Sequence, residues 1–142
     1  MPGADPLVLD THIWIDVAFG RGRFAPRMLR KLDRAAAVGA LHVAAITCWE
    51  LAMLARAGKL RVRGPVLGWL EQSLELTRTA VVSFAPAIAV DAVELPSWDH
   101  ADPADRIIVA TARYLGAVLV TRDTEILDYA EKTKAVQALE PS

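Results

Sequence analysis

The sequence predicts an α/β protein in which a central parallel β-sheet is flanked by helices. Short apolar segments alternate along the chain with longer segments of helical spacing, and such alternation is typical of βαβ units. The chain of 142 residues has the length of one domain, and it contains no repeat, linker or low-complexity tract. We therefore expect a single three-layer domain over residues 1–142, with a core of about 7–139.

The first strand is predicted over residues 7–10, where a short apolar run stops at the carboxylate of Asp10. A helix is predicted next, over 11–19, and Gly20 directly after it marks its end. Apolar residues recur at helical spacing within 23–38, and basic residues occupy other positions. This pattern predicts an amphipathic basic helix.

The second strand is predicted over 41–45, an apolar segment that comes shortly after Gly39. A helical pattern over 46–57 follows and ends at Gly58, which is the usual residue just past a helix end. A proline then suits the first position of a helix over 65–76.

The second half of the chain continues the same alternation. β-branched residues predict a third strand after the helix. Asp102 followed by Pro103 is typical of a helix start, with the Asp as N-cap and the Pro at the first helical position. The predicted elements are a strand over 79–84, a helix over 86–95, a helix over 102–115, a strand over 117–121, a helix over 123–130 and a last strand over 135–139.

Four carboxylates are expected at one edge of this sheet. Asp10 and Asp123 follow strands at their carboxyl ends, and ligands of open α/β sheets bind outside those ends. Asp105 lies in the first turn of a helix, and Glu50 lies about one turn into a helix that starts at the same edge. Each also has a purely structural explanation, as a cap, a first-turn acid or, for Glu50, a member of an exposed helix stripe. Asp102 is interpreted as a plain N-cap outside the site.

The chemistry of such a cluster predicts a metal site. Crowded carboxylates repel each other and resist ionisation unless a cation neutralises them. Oxygen ligands without Cys or a His pair favour Mg²⁺ or Mn²⁺, and a metal-activated water can hydrolyse a phosphodiester. Thr11 and Thr121 are expected to orient carboxylates from outside the ligand set. His12 and His100 are interpreted as hydrogen-bonding structural residues.

Composition excludes some classes of protein. The longest stretch without a charged residue, 35–49, is shorter than the roughly 18 residues of a membrane helix, and the N-terminus lacks the pattern of a signal peptide. Cys48 has no partner for a disulfide and is expected in the core. We therefore expect a cytoplasmic protein with no membrane contact. The tryptophans are also expected in the core: Trp14, Trp49, Trp69 and Trp98.

Several motifs in this order resemble the PIN-domain toxins of the VapC type. They are LDTHIW at 9–14, TCWELA at 47–52, GKL at 58–60, HADPADRIIVATA at 100–112 and LVTRD at 119–123. The resemblance covers about 7–139, nearly the whole chain. It departs from the family where serine is common ahead of the tryptophan and glutamate, since Ala44, Ala45, Ile46 and Thr47 stand there.

This resemblance implies a PIN fold and a Mg²⁺- or Mn²⁺-dependent endoribonuclease that is the toxin of a type II toxin–antitoxin pair. It implies a homodimer, a cognate antitoxin that blocks the active-site groove, and promoter DNA bound only through the antitoxin. By motif position, the family's acidic quartet of catalytic and metal-binding residues falls on Asp10, Glu50, Asp105 and Asp123.

The charge distribution suggests where RNA would dock. Residues 1–63 carry ten Lys and Arg against five Asp and Glu, a net charge of +5, and residues 64–142 carry six against twelve, a net charge of −6. Basic residues of the first half are expected to meet RNA phosphates. They are Arg21, Arg23 and Arg27, and in the connector between two helices Arg56, Lys59, Arg61 and Arg63.

Two alternatives stay open at this point. One is a non-catalytic PIN-like module that binds RNA or protein, although such a module has no need of four converging carboxylates. The other is a phosphatase with an aspartyl nucleophile, which also has an Asp after its first strand. Phosphatases of that class have the pattern Asp-x-Asp after the first strand, whereas the residue two positions after Asp10 is His12.

Overall fold

A five-stranded parallel β-sheet forms the centre of the computed structural model, which describes residues 5–142. The strands are β1 (Leu7–Leu9), β2 (Leu41–Ala44), β3 (Ala80–Val82), β4 (Val118–Val120) and β5 (Gln137–Leu139). Their order across the sheet is β3-β2-β1-β4-β5, and every neighbouring pair is parallel. The predicted α/β class is therefore confirmed. Residues 1–4, where the absence of a signal peptide was expected, lie outside the described residues.

Seven helices connect and follow these strands in residues 5–142. They are α1 (Thr11–Phe19), α2 (Pro26–Ala37), α3 (Ala45–Arg56), α4 (Val66–Leu76), α5 (Pro86–Val93), α6 (Pro103–Leu115) and α7 (Thr124–Thr133). Each predicted strand and helix is present, and the differences are confined to element ends.

Proline explains one of these differences at a helix start. The helix predicted from residue 23 begins at Pro26, because proline disfavours helical geometry in the residue before it, and Ala25 has an extended ψ of 145°. The start of α4 also differs from the prediction, since Pro65 is its N-cap, with ψ at 139°, and not its first helical residue.

Two other helices also differ from the prediction at their ends. The helix predicted over 86–95 ends at Val93, ahead of Pro96. The last helix starts one residue after its N-cap Asp123 and runs to Thr133, three residues past the predicted end. It stops where Lys134 adopts the left-handed conformation, with φ at 56°.

The core of the described residues consists of three clusters, and the two larger ones lie on opposite faces of the sheet. Along β1, Leu7 and Leu9 pack in one cluster with side chains of α1 to α4, and Val8 packs in the other with side chains of α6 and α7. Successive strand residues point to opposite faces, so a central strand covered on both faces is apolar throughout. This explains why the first strand has no polar residue before Asp10.

The tryptophan prediction is wrong for Trp49, whose residue surface is 58% exposed. On α3, Thr47 and Leu51 are buried one turn apart. Trp49 lies between them in sequence and so points about 200° away from each around the helix. Trp14 is fully buried, while Trp69 and Trp98 are partly buried against the two clusters. Cys48 is also only partly buried, beside the first cluster.

No helix in the part of the chain that the structure describes combines the length and the apolar character needed to cross a lipid bilayer.

Trp14 and Trp49 form a matched pair for a stability test. Trp14 packs in the core and donates its indole N–H to the Thr79 hydroxyl at 3.1 Å. Trp14→Ala should lower the free energy of unfolding by about 3–5 kcal/mol, and Trp49→Ala should change it by less than about 0.5 kcal/mol. Urea denaturation followed by circular dichroism measures both. Equal losses would contradict the assignment of Trp14 to the core and Trp49 to the surface.

Candidate active site

The four carboxylates predicted to converge all line one cavity of about 360 Å³. Asp10 follows β1, Glu50 projects from α3, Asp105 from the first turn of α6, and Asp123 precedes α7. The remaining residues that line the cavity are Thr11, His12, Ile13, Asp102 and Arg122. We call this space the acidic cavity.

Asp10 is held by both of its carboxylate oxygens. Oδ1 accepts the backbone N–H of Thr11 at 2.8 Å, and Oδ2 accepts the hydroxyl of Thr121 at 2.6 Å. Asp10 is only 9% exposed. Burial raises the pKa of Asp10 above its usual value, and these two hydrogen bonds partly offset the rise. The side chain is therefore fixed in position before any ligand enters.

Glu50 is held by a pair of threonines. The Thr11 hydroxyl donates to Glu50 Oε1 at 2.5 Å, and the Thr47 and Thr11 hydroxyl oxygens lie 2.9 Å apart. A hydroxyl has one proton to donate, so Thr47 supplies the proton between the two threonines. Burial raises the pKa of Glu50, and the charges of nearby aspartates raise it further. Glu50 is partly buried, which excludes the exposed-stripe explanation.

Asp105 has the most crowded carboxylate of the cavity. Its pKa is raised from 3.8 to about 7, and burial is the largest cause. The charges that raise it further are, in decreasing order, those of Asp102, Asp10, Asp123 and Glu50. The four predicted residues and Asp102 therefore interact electrostatically across one space.

Asp102 corrects the interpretation from sequence. It is the N-cap of α6 as predicted, and its Oδ1 accepts the Ala104 N–H at 2.9 Å. It also lines the acidic cavity and raises the pKa of both Asp105 and Glu50. Its placement outside the site was wrong. An N-cap and the residue three positions after it lie at the same end of a helix. The short spacing between Asp102 and Asp105 was therefore the sequence signal that could have placed Asp102 in the site.

Asp123 combines a capping contact with a place in the cavity. Its Oδ1 accepts the N–H groups of Glu125 at 2.9 Å and Ile126 at 3.3 Å. Its own N–H donates to the Thr121 hydroxyl at 3.0 Å. Thr121 therefore contacts both Asp10 and Asp123, and Thr11 contacts both Asp10 and Glu50. The role of these threonines in orienting metal ligands stays a prediction.

The donor set of the acidic cavity suits a hard cation. Its charged donors are carboxylates, it lacks Cys and a pair of His, and crowded negative charge favours a bound cation. Among residues 5–142, no group of three or more His, Cys, Asp or Glu side chains is arranged to hold a metal ion as it stands. The carboxylates thus surround a cavity and do not meet at one point.

A comparison with protein families agrees with this architecture. The model that describes the PIN domain matches residues 7–132, from the first strand into the last helix. The chain belongs to the PIN domain family.

Known PIN-domain proteins resemble this chain in sequence and fold. "Ribonuclease VapC22" of Mycobacterium tuberculosis (strain ATCC 25618 / H37Rv) is 48% identical over 86 residues, which are 61% of this chain and 65% of that protein. The match therefore spans less than two thirds of the relative. It confirms the predicted resemblance to the VapC type.

Solved structures of low sequence identity share the fold. VapBC2 from Rickettsia felis, bound to a DNA fragment from its promoter, superposes with a TM-score of 0.67 at 16% identity, and the match covers 96% of this chain and 98% of that one. DNA-bound VapBC from Salmonella typhimurium gives 0.65 at 19% identity, with the same coverage. FitAcB from Neisseria gonorrhoeae gives 0.62 at 24% identity, covering 95% and 97% of the two chains.

The basic residues of this PIN domain lie apart from the acidic cavity, with one exception. The residues predicted to meet RNA phosphates are all exposed, and none lines the cavity: Arg21, Arg23, Arg27, Arg56, Lys59, Arg61 and Arg63. Arg122, for which no role was predicted, does line it. Its position in the sequence between Thr121 and Asp123 was the signal that could have placed Arg122 at the site.

The two histidines near this edge occupy different places. His12 is exposed and lines the acidic cavity, where its charge lowers the pKa of Asp10 and Glu50. His100 is absent from the described lining of the cavity. Its Nδ1 lies 3.2 Å from Glu125 Oε2, and its ring packs edge-on against Trp98 at 4.6 Å between centroids.

Asp105 should make stability depend on pH in metal-free protein. Because its folded-state pKa of about 7 exceeds 3.8, the folded state binds the proton more tightly, and stability falls as pH rises between these values. Asp105→Asn should therefore raise the free energy of unfolding by about 1–3 kcal/mol at about pH 8 in EDTA, and by much less at about pH 4.

Urea titrations at the two pH values measure this difference. Asp128→Asn is the matched control, because Asp128 is an exposed carboxylate on α7 outside the acidic cavity. An Asp105→Asn effect that is the same at both pH values would contradict the crowding of Asp105.

Proposed function

We propose that this PIN-domain protein is a metal-dependent endoribonuclease and the toxin of a type II toxin–antitoxin pair. The observation that carries the proposal is the crowding of Asp105 by four other carboxylates around one cavity. Such repulsion costs folding free energy and is retained where a cation offsets it. The 48% identical relative that is named a ribonuclease supports RNA as the substrate.

The residues of the proposed metal site are Asp10, Glu50, Asp105 and Asp123. They would hold Mg²⁺ or Mn²⁺, which supplies an activated water and neutralises charge on the phosphate when bound. Thr121 fixes one oxygen of Asp10, and Thr11 fixes one oxygen of Glu50. These hydroxyls hold the carboxylates against their mutual repulsion, so that the ligands are oriented before the cation arrives.

The surface basic residues would guide the RNA to this site. Arg56, Lys59, Arg61 and Arg63 are exposed along the end of α3 and the connector to α4. Exposed Lys and Arg side chains can contact phosphates and release counterions from the nucleic acid. This distribution separates the positive charge, which attracts the RNA backbone, from the acidic cavity, which would hold the cation.

The proposed partners follow from the neighbours of the same fold. VapBC2 and VapBC are described as bound to DNA, and a structure of the same fold from Klebsiella pneumoniae is described as a toxin–antitoxin complex. We accordingly expect a cognate antitoxin, a homodimer, promoter DNA bound only through the antitoxin, and a cytoplasmic location. The exposed apolar side chains of α3, Trp49 and Met53, give a partner apolar surface to cover.

The first test of the function is cleavage of total cellular RNA by the purified protein. Discrete fragments should form with Mg²⁺ or Mn²⁺, and they should be absent in EDTA and with Asp10→Asn. Asp128→Asn should cleave like the wild type. Gel electrophoresis with mapping of fragment ends measures the outcome. If a folded, metal-loaded and antitoxin-free sample leaves RNA intact, the protein is a non-catalytic binding module.

Thr121 provides a test of carboxylate orientation. Thr121→Val removes the hydroxyl that holds Asp10 and Asp123 but keeps the shape of the side chain, so it should lower the cleavage rate by about 10- to 100-fold. Thr121→Ser retains the hydroxyl and should keep most of the activity. Initial rates at several Mg²⁺ concentrations measure this. Similar rates for the two variants would refute the orienting role.

A further inference from the structure

Arg122 is the one Lys or Arg side chain among residues 5–142 that lines the acidic cavity. Its neighbours in sequence both belong to the site, because Thr121 holds Asp10 and Asp123 lines the same space. A cation so close to five carboxylates would be expected to pair with one of them. Within the described residues, Arg122 makes no salt bridge to any carboxylate of the cavity.

Arg122 is instead held by residues of α1 and of the segment that follows α1. One terminal nitrogen donates to Asp16 Oδ2 at 3.0 Å, and the other donates to the backbone oxygen of Arg23. The guanidinium carbon lies 5.2 Å from the centre of the Phe24 ring. These contacts immobilise the guanidinium beside the carboxylates without neutralising them.

The segment after α1 is shaped for this contact. A Cβ atom at Gly22 would lie 2.7 Å from Asp16 Oδ2, and Gly22 has a φ of 92° that favours glycine. Asp16 also accepts Arg21 Nε at 3.3 Å. The chain therefore closes tightly around the carboxylate that holds Arg122.

The guanidinium keeps free donors. It has five N–H groups, and two of them have hydrogen-bond partners in the described part of the chain. The Arg122 side chain is 34% exposed. A guanidinium with free N–H groups matches the oxygens of a phosphate.

We infer that Arg122 binds a backbone phosphate of the RNA at the mouth of the acidic cavity. This inference rests on the proposed function and adds a substrate-binding residue to it. A phosphodiester that approaches five carboxylates meets like charge, and a fixed guanidinium offsets that repulsion at the point of entry. The Arg23 oxygen and the Phe24 ring also hold the guanidinium at this point, so its place does not depend on Asp16 alone.

The test compares Arg122→Met with Asp16→Asn, because both remove the Arg122–Asp16 ion pair but only the first removes the guanidinium. Binding of fluorescein-labelled single-stranded oligoribonucleotides of two different sequences is measured by fluorescence anisotropy over a range of salt concentrations. All proteins carry Asp10→Asn, so that the RNA stays intact. Thermal unfolding of each variant reports the structural cost of losing the ion pair.

Arg122→Met should weaken binding of both oligonucleotides several-fold. It should also reduce the slope of log affinity against log salt by about 0.7, the value for one phosphate contact with a single strand. Asp16→Asn should leave the slope unchanged even where its melting temperature falls as far. Arg122→Lys keeps the charge, and it should retain the slope with weaker binding.

Two results would overturn the inference while RNA binding by the parent protein still supports the proposed function. One is an unchanged slope for Arg122→Met, and the other is an equal loss of slope for Asp16→Asn. If Arg122→Met does not fold, Arg122→Gln, which also removes the charge, is measured instead, and an unchanged slope overturns the inference in the same way. If the Asp10→Asn parent does not bind RNA and the wild-type protein does not cleave it, both the inference and the proposed function are contradicted.

Discussion

The parallel pairing of β1 with β4 is the contact on which the rest of the site depends. Leu9 pairs with Val120 in the sheet, and the Asp10 N–H donates to the Val120 oxygen at 3.0 Å. This register places the Thr121 hydroxyl on Asp10, although 111 positions separate them in sequence. A shift of one residue would turn the side chains after each strand to opposite faces. Burial of β1 on both faces prevents such a shift, because it would move the apolar side chains of the core.

Helix starts concentrate the negative charge at this edge. Asp10, Asp102 and Asp123 are the N-caps of α1, α6 and α7, and each accepts a backbone N–H with its side chain. The positive ends of these helix dipoles partly offset the repulsion among the carboxylates. Capping and ligand binding are therefore compatible roles for one aspartate. The capping role that the sequence suggests for these aspartates is present in the fold, and it does not exclude the proposed metal site.

Local pattern was sufficient for the elements but not for every side chain. The alternation of apolar runs and helical spacing predicted each strand and helix, and proline geometry accounts for the shifted start of α2. Trp49 was placed wrongly because composition does not tell which side of a helix faces the sheet. Asp102 was set aside because its capping role was a sufficient local explanation. Each error concerns a direction in space, which a residue type does not specify.

The sequence by itself determined the α/β class, the family resemblance and the four carboxylates at strand ends and helix starts. These depend on residue type and short-range spacing, which act through hydrophobic periodicity and local hydrogen bonds. Tertiary structure alone decided that Asp102 joins the acidic cavity and that Arg122 is held by Asp16, 106 positions away. The raised pKa of Asp105 is of the same kind, since burial and charges from three other segments produce it. Such contacts arise when distant segments pack, so no local pattern encodes them.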